Sequence, residues 1–147
     1  MEAQVKYKRK TFVTPRKNII SIFLVDDDLS YLYPLGFYLQ RNTDHVIFCY
    51  SSGEECINNL HKGPDIVILD INLTTDNTNA MNGIDVLKKI KSSRPRTKVI
   101  MLSGRDTAGG VAESMKLGAY MYIVKDIEAI TKLKSIIEKI AEEKSAE

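Results

Sequence analysis

Tryptophan is absent from this 147-residue chain, and cysteine occurs only twice, as Cys49 and Cys56. Two thiols make neither a disulfide framework nor a metal motif, and they fit a reducing compartment. Long hydrophobic runs are missing as well. No apolar stretch approaches the roughly 18–20 residues that a membrane-spanning helix needs, and the first seventeen residues lack the apolar segment of a secretory signal. The expectation is a cytoplasmic chain without membrane attachment. The pattern Gly-x-x-x-x-Gly-Lys-Ser/Thr does not occur, which excludes a nucleotide-binding P-loop, and there are no internal repeats.

Negative charge is scarce at the start of the chain. Residues 1–17 carry six basic side chains (Lys6, Lys8, Arg9, Lys10, Arg16, Lys17) against Glu2 alone, whereas residues 18–147 carry fifteen basic and eighteen acidic ones. The formal charge of +2 therefore combines a basic arm with a mildly acidic body. Such an arm can contact nucleic acid or an acidic partner. A solvated tail or an added strand is the simpler reading, and no direct nucleic-acid binding is expected of the body. The whole chain has 44% hydrophobic and 27% charged residues, ordinary values that suit one domain with a real core. The predicted organisation is an arm at 1–17, one domain at 18–143 and a polar tail at 144–147.

Within that domain, strands and helices alternate. Ile19–Val25 is a short β-branched run, followed by Leu29, Leu32, Leu35 and Leu39 at helical spacing. Pro34 removes a backbone donor there and predicts a late start or a kink. Val46–Tyr50 reads as a second strand. Ser52 and Glu55 have capping-box spacing and open a short helix ending near His61-Lys62-Gly63. Ile66–Leu69 is a third strand that runs into Asp70. The Asn- and Thr-rich residues 71–82 form a long loop, and Gly83 opens a helix with Ile84, Leu87 and Ile90 on one face. A strand at Lys98–Leu102, a helix from Thr107 to Leu117 closed by Gly118, and a strand at Tyr120–Val124 follow. The last helix begins after Asp126, with Ile127, Ile130, Leu133, Ile137 and Ile140 on one side. Five βα units with short connections predict a parallel sheet covered by helices on both faces.

In such sheets, functional groups gather beyond the carboxyl ends of the strands. Those ends carry Asp26 and Asp27, then Asp70, Ser103 and Lys125. Clustered carboxylates repel, so a cation must sit among them. Mg²⁺ takes hard oxygen ligands and typically one or two carboxylates. An aspartate can also attack phosphorus to give an acyl phosphate, with an ammonium and a hydroxyl to stabilise the transferring group. Asp28 reads as an N-cap of the first helix.

Taken together, Ile22-Phe23-Leu24-Val25-Asp26-Asp27-Asp28, Asp70, Ser103 and Lys125 resemble the receiver domain of bacterial two-component response regulators, over roughly residues 18–143. The resemblance implies a flavodoxin-like (βα)5 fold with strand order 2-1-3-4-5. It also implies a Mg²⁺-dependent phosphoacceptor in a signalling role, not a turnover enzyme, with Asp70 taking a phosphoryl group from a sensor histidine kinase or a histidine phosphotransfer protein. Asp26 and Asp27 match the acidic pair that, with Asp70 and the main chain of Asn72, holds Mg²⁺, for which Mn²⁺ could substitute. Ser103 matches the switch hydroxyl, Lys125 the phosphate-pairing lysine and Tyr122 the switch aromatic. The surface of the fourth helix, fifth strand and fifth helix would carry the signal and is compatible with a homodimer.

Departures from the family pattern concentrate near the acceptor. Leu73-Thr74-Thr75 stands where Met-Pro is usual, and Asp76, Asn77, Thr78 and Asn79 lengthen the following loop. Asp126 replaces the common proline after Lys125, so a cis peptide is not expected. Asn72 and Arg105 occupy positions that tune hydrolysis in the family. Asn72 also argues against a haloacid-dehalogenase-like phosphatase, which wants a second aspartate there. The acidic run after the first strand would repel a flavin phosphate. The remaining alternative is a receiver-like interaction module that works without phosphorylation.

Overall fold

The computed structural model describes residues 18–73, 81–104 and 108–145; the basic arm, most of the long loop and Arg105 lie outside them. Five strands, β1 (Ser21–Val25), β2 (Val46–Tyr50), β3 (Ile66–Asp70), β4 (Lys98–Ser103) and β5 (Met121–Val124), form one sheet. Every pairing is parallel, and the order is β2-β1-β3-β4-β5. Helices α1 (Leu29–Asn42), α2 (Gly53–Asn58), α3 (Gly83–Ser93), α4 (Ala108–Lys116) and α5 (Ala129–Ser145) alternate with the strands, as the sequence predicts for a flavodoxin-like fold.

Alternate residues of a strand face opposite ways, and here both faces are dry. Ile22, Leu24, Ile66, Ile68, Ile100 and Leu102 pack on α1 and α5 through Leu32, Leu35, Leu39, Leu133 and Ile137. The intervening Phe23, Val25, Val67, Leu69, Val99 and Met101 pack on α2 and α3 through Cys56, Val86, Leu87 and Ile90. This two-sided burial is why the strands read as unbroken apolar runs and not as alternating ones. Each such buried side chain contributes about 1.5–3 kcal/mol.

The caps follow the sequence closely. Asp28 accepts from the N–H of Ser30 at 3.0 Å, Ser52 from that of Glu55 at 3.1 Å and Asn82 from that of Asp85 at 2.9 Å. Gly118, at φ +98, closes the turn after α4. Three expectations need correction. Helix α1 starts at Leu29, so the late start is not seen; Pro34 lies inside the helix on its exposed side, while Leu32, Leu35 and Leu39 are buried against the sheet. Helix α2 stops at Asn58, and a 3-10 turn over Leu60–Lys62 completes the segment. Ile127 precedes α5 and is 98% exposed; Ala129, Leu133, Ile137 and Ile140 make the buried stripe.

Candidate functional site

Strand register assembles the site. Val25 pairs with Leu69, so Asp26 and Asp70 leave adjacent strands side by side. Asp70 pairs with Leu102 and Ser103 with Val124, which steps Ser103 and then Lys125 one residue further along. Main-chain bonds from Ile71 N–H to Leu102 O (2.9 Å) and from Lys125 N–H to Ser103 O (2.7 Å) carry the ladder past the strand ends. The strand order reverses between β1 and β3, and ligands of open parallel sheets bind at such reversals.

Side-chain phase decides what meets what. Asp26, Asp70 and Lys125 continue the phase of Leu24, Ile68 and Ile123, toward α1. Lys125 Nζ lies 2.7 Å from Asp26 Oδ2 and 3.4 Å from Asp70 Oδ2, with all three side chains largely buried. Asp26 Oδ1 accepts from the N–H of Asp28, and Asp70 Oδ1 from the N–H of Asn72, both at 2.9 Å. Ser103 continues the opposite phase, that of Val99 and Met101, and is 2% exposed. Tyr122 is half-buried on that same side, against the core that contains Met101.

Asp26, Asp27 and Asp70 each offer an oxygen, and these atoms lie within 4.8 Å of one another. Two like charges about 4 Å apart repel by about 4 kcal/mol at an effective dielectric near 20. Lys125 offsets only part of this. Burial is the main cause that pushes Asp70 up to about 6 from its ordinary 3.8; the Asn72 N–H and Lys125 oppose the shift and Asp26 adds to it. Burial alone would lower Lys125, but the hydrogen bond and charge of Asp26 together with Asp70 outweigh it and raise the ammonium. Clustered hard oxygens with surplus negative charge suit a divalent cation. The donor set therefore fits Mg²⁺.

Two groups pin the acceptor strand from below and beyond. A Cβ built on Gly83 would fall 2.4 Å from Asp70 O and 2.6 Å from Ile71 Cα, so only glycine lets α3 start against the end of β3. Glu54 of α2 accepts from Met81 N–H at 3.1 Å, fixing the far end of the long loop.

A family model described as the response regulator receiver domain matches residues 22–138. The chain belongs to the response regulator receiver family. The transcriptional regulatory protein LnrK of Bacillus subtilis is 32% identical over 121 residues, which cover 81% of this chain and 53% of LnrK. The regulatory protein LuxO of Vibrio vulnificus is 30% identical over 101 residues, 68% of this chain and 19% of LuxO. This receiver thus spans about half or less of those two relatives. A receiver domain protein from Methanospirillum hungatei JF-1 superposes with a TM-score of 0.75 at 25% identity, covering 88% of this chain and 99% of the other. The signal receiver domain of a Luxo repressor protein from Vibrio parahaemolyticus shares the fold, with a TM-score of 0.73 at 23% identity, covering 85% and 92%.

The receiver brings Asp26, Asp27, Asp70 and Lys125 into one cluster and sets Asn72 beside it through its main-chain N–H. Ser103 and Tyr122 occupy the other side of the sheet edge. The peptide after Lys125 is trans; no described peptide is cis. One neighbour escaped notice in the sequence. The Tyr31 ring centroid lies 4.4 Å from Lys125 Nζ. Its signal was the i, i+4 spacing with buried Leu35, which sets Tyr31 on the flank of the stripe that packs toward the same side as Lys125. Among the described residues, no helix is long and apolar enough to cross a membrane.

Proposed function

We propose that residues 18–143 form a phosphoacceptor domain that takes a phosphoryl group onto Asp70 in a Mg²⁺-dependent reaction. The observation that carries this reading is the pairing of a buried carboxylate with a fixed ammonium, Lys125 Nζ at 3.4 Å from Asp70, beside two further carboxylates. The donor is a phosphohistidine on a sensor histidine kinase or a histidine phosphotransfer protein, met in the cytoplasm. An Asp70 carboxylate oxygen attacks phosphorus as the P–N bond breaks. The imidazole leaves with the bonding pair and an acyl phosphate remains. Water later cleaves it to return Asp70 and inorganic phosphate.

Each residue has a defined task. Asp70 is ionised at neutral pH and thus nucleophilic, since its pKa is about 6. The Asn72 N–H holds Oδ1 and so fixes the plane of the carboxylate. Lys125 lies where it can pair with an oxygen of the transferring group, a task for preorganised charge in a dry site. Asp26, Asp27 and Asp70, with the main-chain carbonyl of Asn72, would hold Mg²⁺ or Mn²⁺, which supplies charge neutralisation on the phosphoryl oxygens. Ser103 donates to a further phosphoryl oxygen. Its movement and that of Tyr122, which share one side of the sheet edge, pass the change to the α4–β5–α5 surface. That surface would serve an output partner or a second copy.

The test is incubation with a small phosphodonor such as phosphoramidate, with Mg²⁺ or with EDTA, read by intact-protein mass. One added phosphoryl group on the wild type and none on Asp70→Asn is the expected result. No adduct under conditions that label a known receiver would refute the reading and leave a phosphorylation-independent interaction module.

A further inference from the structure

The ammonium of Lys125 meets two carboxylates and an aromatic ring. Asp26 Oδ2 and Asp70 Oδ2 approach it at 2.7 and 3.4 Å, while the Tyr31 centroid stands 4.4 Å away. A cation at that distance over an aromatic face is attracted by the ring quadrupole, and more strongly when desolvated. Lysine is otherwise a compact charge on a flexible four-carbon stem. Nothing covalent keeps it near the acceptor.

Tyr31 is held independently of Lys125. It sits in the first turn of α1, which Asp28 caps through its side chain and through carbonyl bonds from Tyr31 N–H (3.0 Å) and Leu32 N–H (2.9 Å). The same cap ties α1 to the site, because the Asp28 N–H donates to Asp26 Oδ1. The ring packs half-buried against the core beneath α1. It is therefore a wall held by its own helix beside the ammonium.

We propose that Tyr31 is a positioning residue for Lys125: its ring face keeps the ammonium at the acceptor carboxylate and excludes water from the part of the ammonium that it covers. This rests on the reading of Asp70 as the acceptor and adds a residue to it. In this role Tyr31 acts through the lysine and not on phosphorus. Its hydroxyl is not required, so phenylalanine fulfils the role and leucine, of similar burial but without a quadrupole, does not.

Two measurements on the full chain test this. The first is the rate of phosphorylation by phosphoramidate with Mg²⁺, resolved into maximal rate and half-saturating donor concentration. Tyr31→Leu is expected to lower the maximal rate about five- to thirtyfold, the range between an exposed and a desolvated cation–π contact, while half-saturation moves less than about twofold. Tyr31→Phe stays within about twofold of wild type, and Tyr31→Leu has no further effect in a Lys125→Met background. The second is the NMR shift of the Lys125 ε-protons. Ring current moves them upfield in the wild type and in Tyr31→Phe, and this is lost in Tyr31→Leu. An equal fall in rate with and without Lys125 would overturn the proposal in favour of a purely structural role, as would unshifted Lys125 protons in the wild type. A wild type that accepts no phosphoryl group would instead refute the acceptor reading, and the NMR arm would still decide the contact.

Discussion

Replacing the central carboxylate should stabilise the metal-free protein. Asp70→Asn removes a partner of Lys125, which ordinarily costs stability, but Lys125 keeps Asp26 at 2.7 Å and is not orphaned. What the substitution relieves is larger. Burial, with Asp26 close by, raises the Asp70 carboxyl from 3.8 to about 6. A carboxyl whose folded-state pKa exceeds its unfolded value supports the fold only while protonated. That support is complete below 3.8 and is lost as the pH rises through about 6. A gap of about two units at 1.36 kcal/mol per unit comes to about 3 kcal/mol. Asparagine carries no charge, so Asp70→Asn should exceed the wild type by about 1–3 kcal/mol near pH 7.5, and the advantage should vanish near pH 3.5. Urea unfolding in EDTA at both pH values measures it through the midpoint at constant slope. A variant no more stable at neutral pH, or one with the same offset at both pH values, would refute the reasoning. Mg²⁺ should narrow or reverse the order, because a ligand at 100 times its dissociation constant adds about 2.7 kcal/mol to the protein that binds it.

Lys125→Met should do the opposite of Asp70→Asn: it leaves two buried carboxylates without their cation and should cost about 3–5 kcal/mol at neutral pH by urea unfolding. Adding Asp70→Asn should recover only part of that loss, because Asp26, the nearer partner at 2.7 Å, stays buried without a cation. Gly83→Ala should lower the melting temperature, since its new Cβ meets backbone atoms of Asp70 and Ile71 that cannot rotate away; overpacking of this kind costs about 1–3 kcal/mol. Gly36→Ala should be unfavourable alone because its Cβ falls 2.7 Å from Cys49 Sγ. In a Cys49→Ala background it should become neutral or favourable, as alanine gains up to about 1 kcal/mol of helix propensity over glycine.

The sequence made the acidic cluster legible because each member stands at the end of a strand that reads as an apolar run, and a parallel sheet brings such ends together. Ser52 and Asp28 announced their helices for a similarly local reason: a cap is a bond between near neighbours. Features set by packing were harder to see. Pro34 looked disruptive, yet it lies on the exposed side of a helix whose leucines are fixed by the sheet. Ile127 looked like a core residue by spacing, but α5 begins two residues later and leaves it outside. The Tyr31–Lys125 contact joins residues from the two ends of the domain, and only the strand order and side-chain phase bring them together. The basic arm, Arg105 and residues 74–80 fall outside the described residues.

The bonds flanking residues 74–80 have a consequence for how this domain tolerates change. Asp70 and Asn72 are secured on one side of that segment, and Met81, Asn82 and Gly83 are secured on the other by Glu54, by the cap of α3 and by contact with the end of β3. Both anchors are bonds or contacts between described residues. Closure entropy grows only slowly with the length of a connection, by about 0.6 kcal/mol per doubling. An insertion between residues 73 and 81 removes none of these bonds, which makes that stretch the natural point at which to graft a recognition peptide or a fluorescent reporter beside the site.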